Sequence, residues 1–201
     1  MTENLEGTIS LWSRVQMYRA GELVNPSEWE RSHSFVRNLM YAIESVFSQR
    51  DVTAGGWDTT NTLEGFEQGT HTVGFIRASP LGAEDTYGIL LGTDSTAVTL
   101  SDYNLGTPIA HGSGAGQLLY GAGSVAIPFE DSTDSWVDIV MVRGFENQSG
   151  GNITVEEIGI VGKSEDAGGA SELFLLAHDL KNFTINDGYT AVVEYRLRFT
   201  V

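Results

Sequence analysis

Apolar and polar residues alternate most cleanly at the C-terminal end of the chain. Ala191, Val193, Tyr195, Leu197, Phe199 and Val201 fall on one parity, and Val192, Glu194, Arg196, Arg198 and Thr200 on the other. A period of two means a strand with one buried face. Upstream, Trp136 to Phe145 is a nearly continuous apolar run, which predicts a central strand buried on both faces. Ile153 to Val161 is a further strand. Its apolar parity switches from Ile153 and Val155 to Ile158 and Ile160, which predicts a β-bulge at Glu156-Glu157. Shorter β-prone runs lie at Val73 and Phe75, Thr86 to Leu91, Ala97 to Leu100, Leu118 to Tyr120, Val125 to Phe129 and Leu173 to Asp179. Turn chemistry separates them: Thr93-Asp94-Ser95-Thr96, Asn147 to Asn152, a loop from Glu165 to Ser171, and Asn186-Asp187-Gly188. About eight strands at this spacing predict a mainly β chain, an antiparallel β sandwich of jelly-roll type.

The first third reads differently. Ile9, Leu11, Val15 and Met17 alternate as a strand interrupted at Ser13, and Gly21 and Asn25-Pro26 mark turns. An amphipathic helix is then expected. Asn25 is its cap, Pro26 its first residue, and Glu28 completes a capping box. Trp29, His33, Val36, Leu39, Met40, Ile43, Val46 and Phe47 form its apolar stripe, and Glu30, Arg31, Ser34, Arg37, Asn38 and Ser48 its polar face. Arg50 suits the dipole at its C-terminal end. Residues 51–72, rich in Thr, Gly, Asp and Asn around Trp57 and Phe66, read as a long surface loop. The expected organisation is therefore a docking segment over 1–72 and a β sandwich over 73–201, forming one unit with the helix.

Composition narrows the function classes. A chain of 201 residues with 41% hydrophobic content can build one large domain with a core. Eleven basic against 27 acidic residues give a net charge of −16, a surface that repels phosphate backbones, so no nucleic-acid partner is expected. Only Lys163 and Lys181 accompany nine arginines, and an acid-rich, lysine-poor surface suits a high-salt environment. No apolar run approaches the roughly 18 residues of a spanning helix, and no signal sequence is evident, so neither a membrane partner nor export is expected. The absence of cysteine excludes disulfides, thiolate metal sites and thiol catalysis.

Candidate chemistry is thin. His33, His71, His111 and His178 lie far apart with no second ligand at metal-binding spacing. Asp131-Ser132-Thr133-Asp134 and Glu84-Asp85 offer oxygen ligands for calcium but lack EF-hand order. His111-Gly112-Ser113-Gly114-Ala115-Gly116 has neither the glycine of a nucleophile elbow nor the lysine of a P-loop. Glu156-Glu157 is no better a glycosidase pair than any other. Trp57, Tyr103 and Tyr120 are candidates for stacking on a sugar. Glycosylation triplets begin at Asn147, Asn152 and Asn182. No catalytic, cofactor-binding or metal-ligating residue is assigned, and no cofactor or enzymatic activity is expected.

Four segments carry a family resemblance. Gly88-Ile89-Leu90-Leu91-Gly92-Thr93 is followed by Ala97-Val98-Thr99 and Ser101-Asp102-Tyr103. Asn147 to Gly159 reads NQSGGNITVEEIG, Leu175 to Asp179 reads LLAHD, and the long alternating strand closes the series. Over about residues 85–201 this order resembles the β-sandwich structural proteins of tailed bacteriophages and archaeal tailed viruses, capsid-decorating or tail-associated. The resemblance implies a virion component whose partners are major capsid or tail subunits. It implies a homo-oligomer, with a trimer on the capsid surface as the first expectation. A tail or head–tail junction position, and a carbohydrate-binding or host-attachment module, are the alternatives.

Overall fold

Strand β12 (Tyr189–Thr200) is the axis of the larger of the two sheets that pack on each other in this computed structural model, which describes residues 8–32, 35–48, 52–66, 76–126, 129–131, 136–165 and 170–200. One neighbour of β12 is β1 (Thr8–Arg19), paired from Thr8↔Thr200 to Arg19↔Tyr189. The other is β9 (Trp136–Glu146), paired from Thr190↔Glu146 to Thr200↔Trp136. Beyond β1 lie β2 (Glu22–Asn25) and β3 (Glu30–Ser32); beyond β9 lie β7 (Leu119–Val125) and β8 (Phe129–Asp131). The smaller sheet has the order β11 (Ser171–Ile185), β10 (Ile153–Glu165), β6 (Gly88–Gly92). The ladders joining these strands are all antiparallel. The chain is mainly β, with two antiparallel sheets packed on each other.

The alternation read in β12 decides its packing: Ala191, Val193 and Tyr195 are fully buried, while their polar neighbours are half-buried on the outer face. β9 is central, as its apolar run implied, but only one of its faces is sealed. Arg143 and Phe145 point inward, whereas Val140 and Val142 lie half-buried on the outer face, which carries no second layer among the described residues. The bulge is present: the β10–β11 register shifts between Val155 and Glu157. Ile158 and Ile160 therefore return to the intersheet core, and Glu157 and Gly159 face away from it.

The opposite face of the smaller sheet is covered by the connection between β6 and β7, residues 93–118. Leu105 and Ile109 of this segment are 2% and 5% exposed. The 97–100 run, expected as a strand, belongs to this irregular cover. A Cβ at Gly159 would come within 2.9 Å of both the Ala177 carbonyl and Leu105 Cδ2, so only glycine permits this approach.

The helical stripe is the main departure. The helix α1 spans Arg37–Ser48 and does not begin at Asn25. Asn25 ends β2, and Glu30–Ser32 pair with Ser13 to Leu11 of β1. Trp29 and Arg31 face out while Ser32 is buried, a period of two beneath the apparent period of 3.6. Between β2 and β3 the Ser27 hydroxyl accepts from the Val15 N–H and donates to the Val15 carbonyl, completing the edge of β1. Residues 35–36 then run beside β11, with Val36 N–H bonded to Leu176 O at 3.3 Å, and the helix starts only after that contact. Sheet pairing overrides local helix signals here. His33, Ser34 and Arg50 lie outside the described residues, as do Val73 and Phe75. The expected 51–72 loop contains a hairpin, β4 (Val52–Trp57) and β5 (Leu63–Phe66). The Asn38 side chain locks this hairpin to the helix, donating to Trp57 O at 2.7 Å and accepting from Trp57 N at 3.0 Å.

Candidate functional site

The strongest concentration of ionisable groups lies where the 93–118 cover meets the smaller sheet. His178, on β11, is 5% exposed, and both of its ring nitrogens face carboxylates. Nδ1 is 2.8 Å from Asp102 Oδ2, and Nε2 is 2.9 Å from Glu157 Oε2. The bulge aims Glu157 at this spot and leaves it fully buried. Besides the imidazole, Glu157 accepts backbone N–H groups of the cover: Thr107 at 2.8 Å, Gly106 at 2.9 Å and Asp94 at 3.3 Å. Gly92 makes room for it, and Gly106 makes room for the neighbouring Asp94 side chain. A methyl at Gly92 would lie 2.7 Å from Cγ and Cδ of Glu157, and one at Gly106 would lie 2.6 Å from Asp94 Cβ. Asp102 is held in turn by the Thr99 N–H at 3.0 Å and hydroxyl at 2.6 Å.

With a carboxylate on each nitrogen, the charged ring can donate to both, an imidazolium flanked by two anions. Burial opposes charge on His178, but its hydrogen bonds to Glu157 and Asp102, and then their charges, outweigh it and raise its pKa above 6.5. For Glu157 burial again acts first, in the upward direction. The bonds from His178, Thr107, Gly106 and Asp94 overcome it and hold the carboxyl below its ordinary value. Asp102 is likewise lowered, burial being outweighed by the Thr99 hydroxyl and amide and by His178. Since both ring nitrogens are engaged by carboxylates, the imidazole has none free to take a proton from a substrate. The arrangement is a clasp, and what it holds is the cover segment.

Two more buried polar clusters join the layers. Asp179, next to His178 but facing the larger sheet, accepts the Ser32 hydroxyl at 2.7 Å and the Tyr195 hydroxyl at 3.0 Å. Burial, and then the Asp179 charge, push the Tyr195 phenol well up. Arg143, 1% exposed, donates to the carbonyls of Gly121, Tyr87 and Ile89 at 3.0 Å each and to that of Glu84. Its guanidinium lies over the Tyr120 ring, 4.7 Å from the centroid.

Of the two described histidines, His178 is the one brought between acids. His111 accepts from Tyr120 N at Nδ1, and His33 and His71 lie outside the described residues. Sequence spacing hid the clasp, because Asp102 and Glu157 stand 76 and 21 positions from His178. The bulge signal could have separated Glu157 from Glu156. The Asp85 carboxylate accepts the His111 N–H, and the Glu84 carboxylate accepts the Thr86 N–H. Residues 132–135 are not described, and among the described residues no three acids or histidines converge as metal ligands. Tyr120 is buried with its hydroxyl on Ile109 O, Trp57 lies under Arg37, and Tyr103 is half-buried. Asn147, first residue of one glycosylation triplet, is fully buried, bonded to the carbonyls of Gly151 and Ile185. Among the described residues no helix is long and apolar enough to cross a membrane. No family model matches the chain, and neither a curated protein nor a solved structure shows significant similarity to it.

Proposed function

We propose that the chain is a non-enzymatic structural component of a tailed-virus particle, decorating or stabilising the capsid through contacts between subunits, with a tail or head–tail junction position as the variant. The observation that carries this reading is the character of the exposed apolar surface. Among the described residues ten large hydrophobic side chains are exposed, and Phe199 is the one aromatic; the others are Ile9, Leu23, Val24, Met40, Leu63, Leu81, Leu100, Val125 and Leu180. Exposed apolar side chains of this kind can be covered by a protein partner, whereas sugar binding needs open aromatic faces. Two of the three stacking candidates do not offer them, Tyr120 being core and Trp57 covered by a guanidinium. His178, Asp102 and Glu157 are engaged with one another in the clasp. The segments that carry the family resemblance build β6, β10, β11 and β12, with the 97–103 stretch lying in the cover.

The jelly-roll description belongs to the same reading. β9 and β12 are neighbours in one sheet while β10 and β11, between them in sequence, form a hairpin in the other. This nesting of one pair inside the other, across two sheets, supports the jelly-roll reading. The test is immunogold labelling of tailed particles induced from cells that encode the chain. Label on heads or tails is the expected result, and particles free of label with the chain only in the soluble fraction overturn the proposal.

A further inference from the structure

The outer face of the larger sheet gathers three of the four tryptophans and four of the nine arginines. Across the strands they run in register. Trp29 and Arg31 come from β3 and the residues before it, Trp12 and Arg14 from β1, Arg196 and Arg198 from β12, and Trp136 from β9. Arg196 and Arg14 both lie over the Trp29 ring, at 3.8 and 4.6 Å from its centroid, and Arg198 lies over Trp136 at 4.0 Å. Asp138 sits beneath Arg196 and Arg198, and Glu194 pairs with Arg14. Against four arginines on this half of the face stand three acidic residues, Asp138, Glu194 and, opposite Trp136 in register, Asp131, in a chain whose formal charge is −16. Arg31 is exposed, and Arg196 Nε, though 3.2 Å from Asp138, makes no hydrogen bond.

We infer that this arginine–tryptophan face is the contact by which one copy of the chain docks on the acidic surface of a second copy, an inference that rests on the assembly reading above. Three features support that occupant. Tryptophan and arginine are the residues in which interface energy concentrates. Their stacking already fixes the side chains, so little rotamer freedom remains to be lost on docking. The charge excess on this half of the face is opposite in sign to that of the chain as a whole, which makes another copy the complementary partner. The covered indole faces do not suit a sugar. Such a contact joins unlike patches, so it builds a ring or a chain and not an isologous dimer.

The test is light scattering of the purified chain at about 50 mM and about 1 M NaCl, where screening lengths differ severalfold. Arg31→Glu is compared with Arg77→Glu, which makes the same change in net charge at an exposed site elsewhere in the fold. The expected result is a mass above 21.8 kDa at low salt that falls towards it at high salt. Arg31→Glu weakens association roughly tenfold, an attraction of modest size becoming a repulsion. Arg77→Glu and the melting temperatures of both variants stay near wild type. Association that persists in Arg31→Glu, or is weakened equally by Arg77→Glu, overturns this face as the contact. A monomer under every condition overturns self-docking but leaves a monomeric decorating protein possible, which the particle labelling decides.

Discussion

Replacing Glu157 by Gln tests the clasp with almost no change of shape. One oxygen is retained and can still accept the Thr107 amide. The other becomes an NH₂ that meets two donors, the Gly106 N–H at 2.9 Å and His178 Nε2 at 2.9 Å. Hydrogen bonds to a charged group contribute about 1.5–3 kcal/mol each. Removing one partner of a buried pair costs about 3–5 kcal/mol. Both routes give a loss of about 3–5 kcal/mol, which for a chain of this size lowers the melting temperature by roughly 6–20 °C. The pH dependence carries the sharper signature. The folded pKa of His178 is raised, so its contribution is complete below 6.5 and is lost as pH rises through the folded value. Those of Glu157 and Asp102 are lowered, so their contributions are present above 4.5 and 3.8 and are lost as pH falls through the folded values. The clasp is therefore strongest in mildly acidic solution, between the carboxylate and imidazole transitions. Urea unfolding followed by tryptophan fluorescence across this range should show the largest gap between wild type and Glu157→Gln near pH 5–6, narrowing under alkaline conditions. A variant within about 1 kcal/mol of wild type throughout, or a gap that widens with rising pH, refutes the ion-paired clasp.

Three further substitutions probe the other junctions. Arg143→Met keeps the apolar stem but leaves the carbonyls of Gly121, Tyr87, Ile89 and Glu84 without their donor, and should cost about 3 kcal/mol or more in a urea titration. Gly159→Ala places a methyl 2.9 Å from Leu105 Cδ2 and should destabilise by about 1–3 kcal/mol, with faster hydrogen exchange at the Gly106 and Thr107 amides as its local sign. Asn38→Ala removes both bonds to Trp57, and limited proteolysis should then cut within Val52–Phe66 well before the sandwich melts.

How far the sequence exposes this fold depends on how local each determinant is. The face of β12 follows from its alternation, and the bulge in β10 from a parity switch within Ile153–Ile160, because both are properties of one strand. The helix failed for the opposite reason. Its stripe from Trp29 onward satisfied helical spacing, yet Trp29 is held by Arg14 and Arg196, and Glu30–Ser32 by β1, partners far away in sequence. The 52–66 hairpin was hidden among loop-like residues because Asn38, not its own apolar pattern, anchors it. A charged residue inside the apolar run of β9 was a legible signal for the Arg143 cluster. The clasp offered none apart from the bulge, because its three members meet only after the 93–118 segment has crossed the smaller sheet.

That crossing explains why charge is buried at all. Apolar layers attract without direction, and a one-residue slip of β10 would exchange Ile158 for Glu157 in the intersheet core. Each buried polar cluster sits at a junction where such a slip could occur. Glu157 and His178 fix the cover on the smaller sheet, Asp179 with Ser32 and Tyr195 fixes the smaller sheet on the larger, and Arg143 fixes β9 against β7 and the segment entering β6. A displaced register would strand a carboxylate or guanidinium without its partners, at several kcal/mol each. Adjacent residues divide the work on β11: His178 holds the outer layer and Asp179 the inner one. The bulge in β10 is what lets Glu157 face the first of these while Ile158 packs beside the second. The clusters thus contribute specificity of registration, and the aliphatic core supplies most of the cohesion.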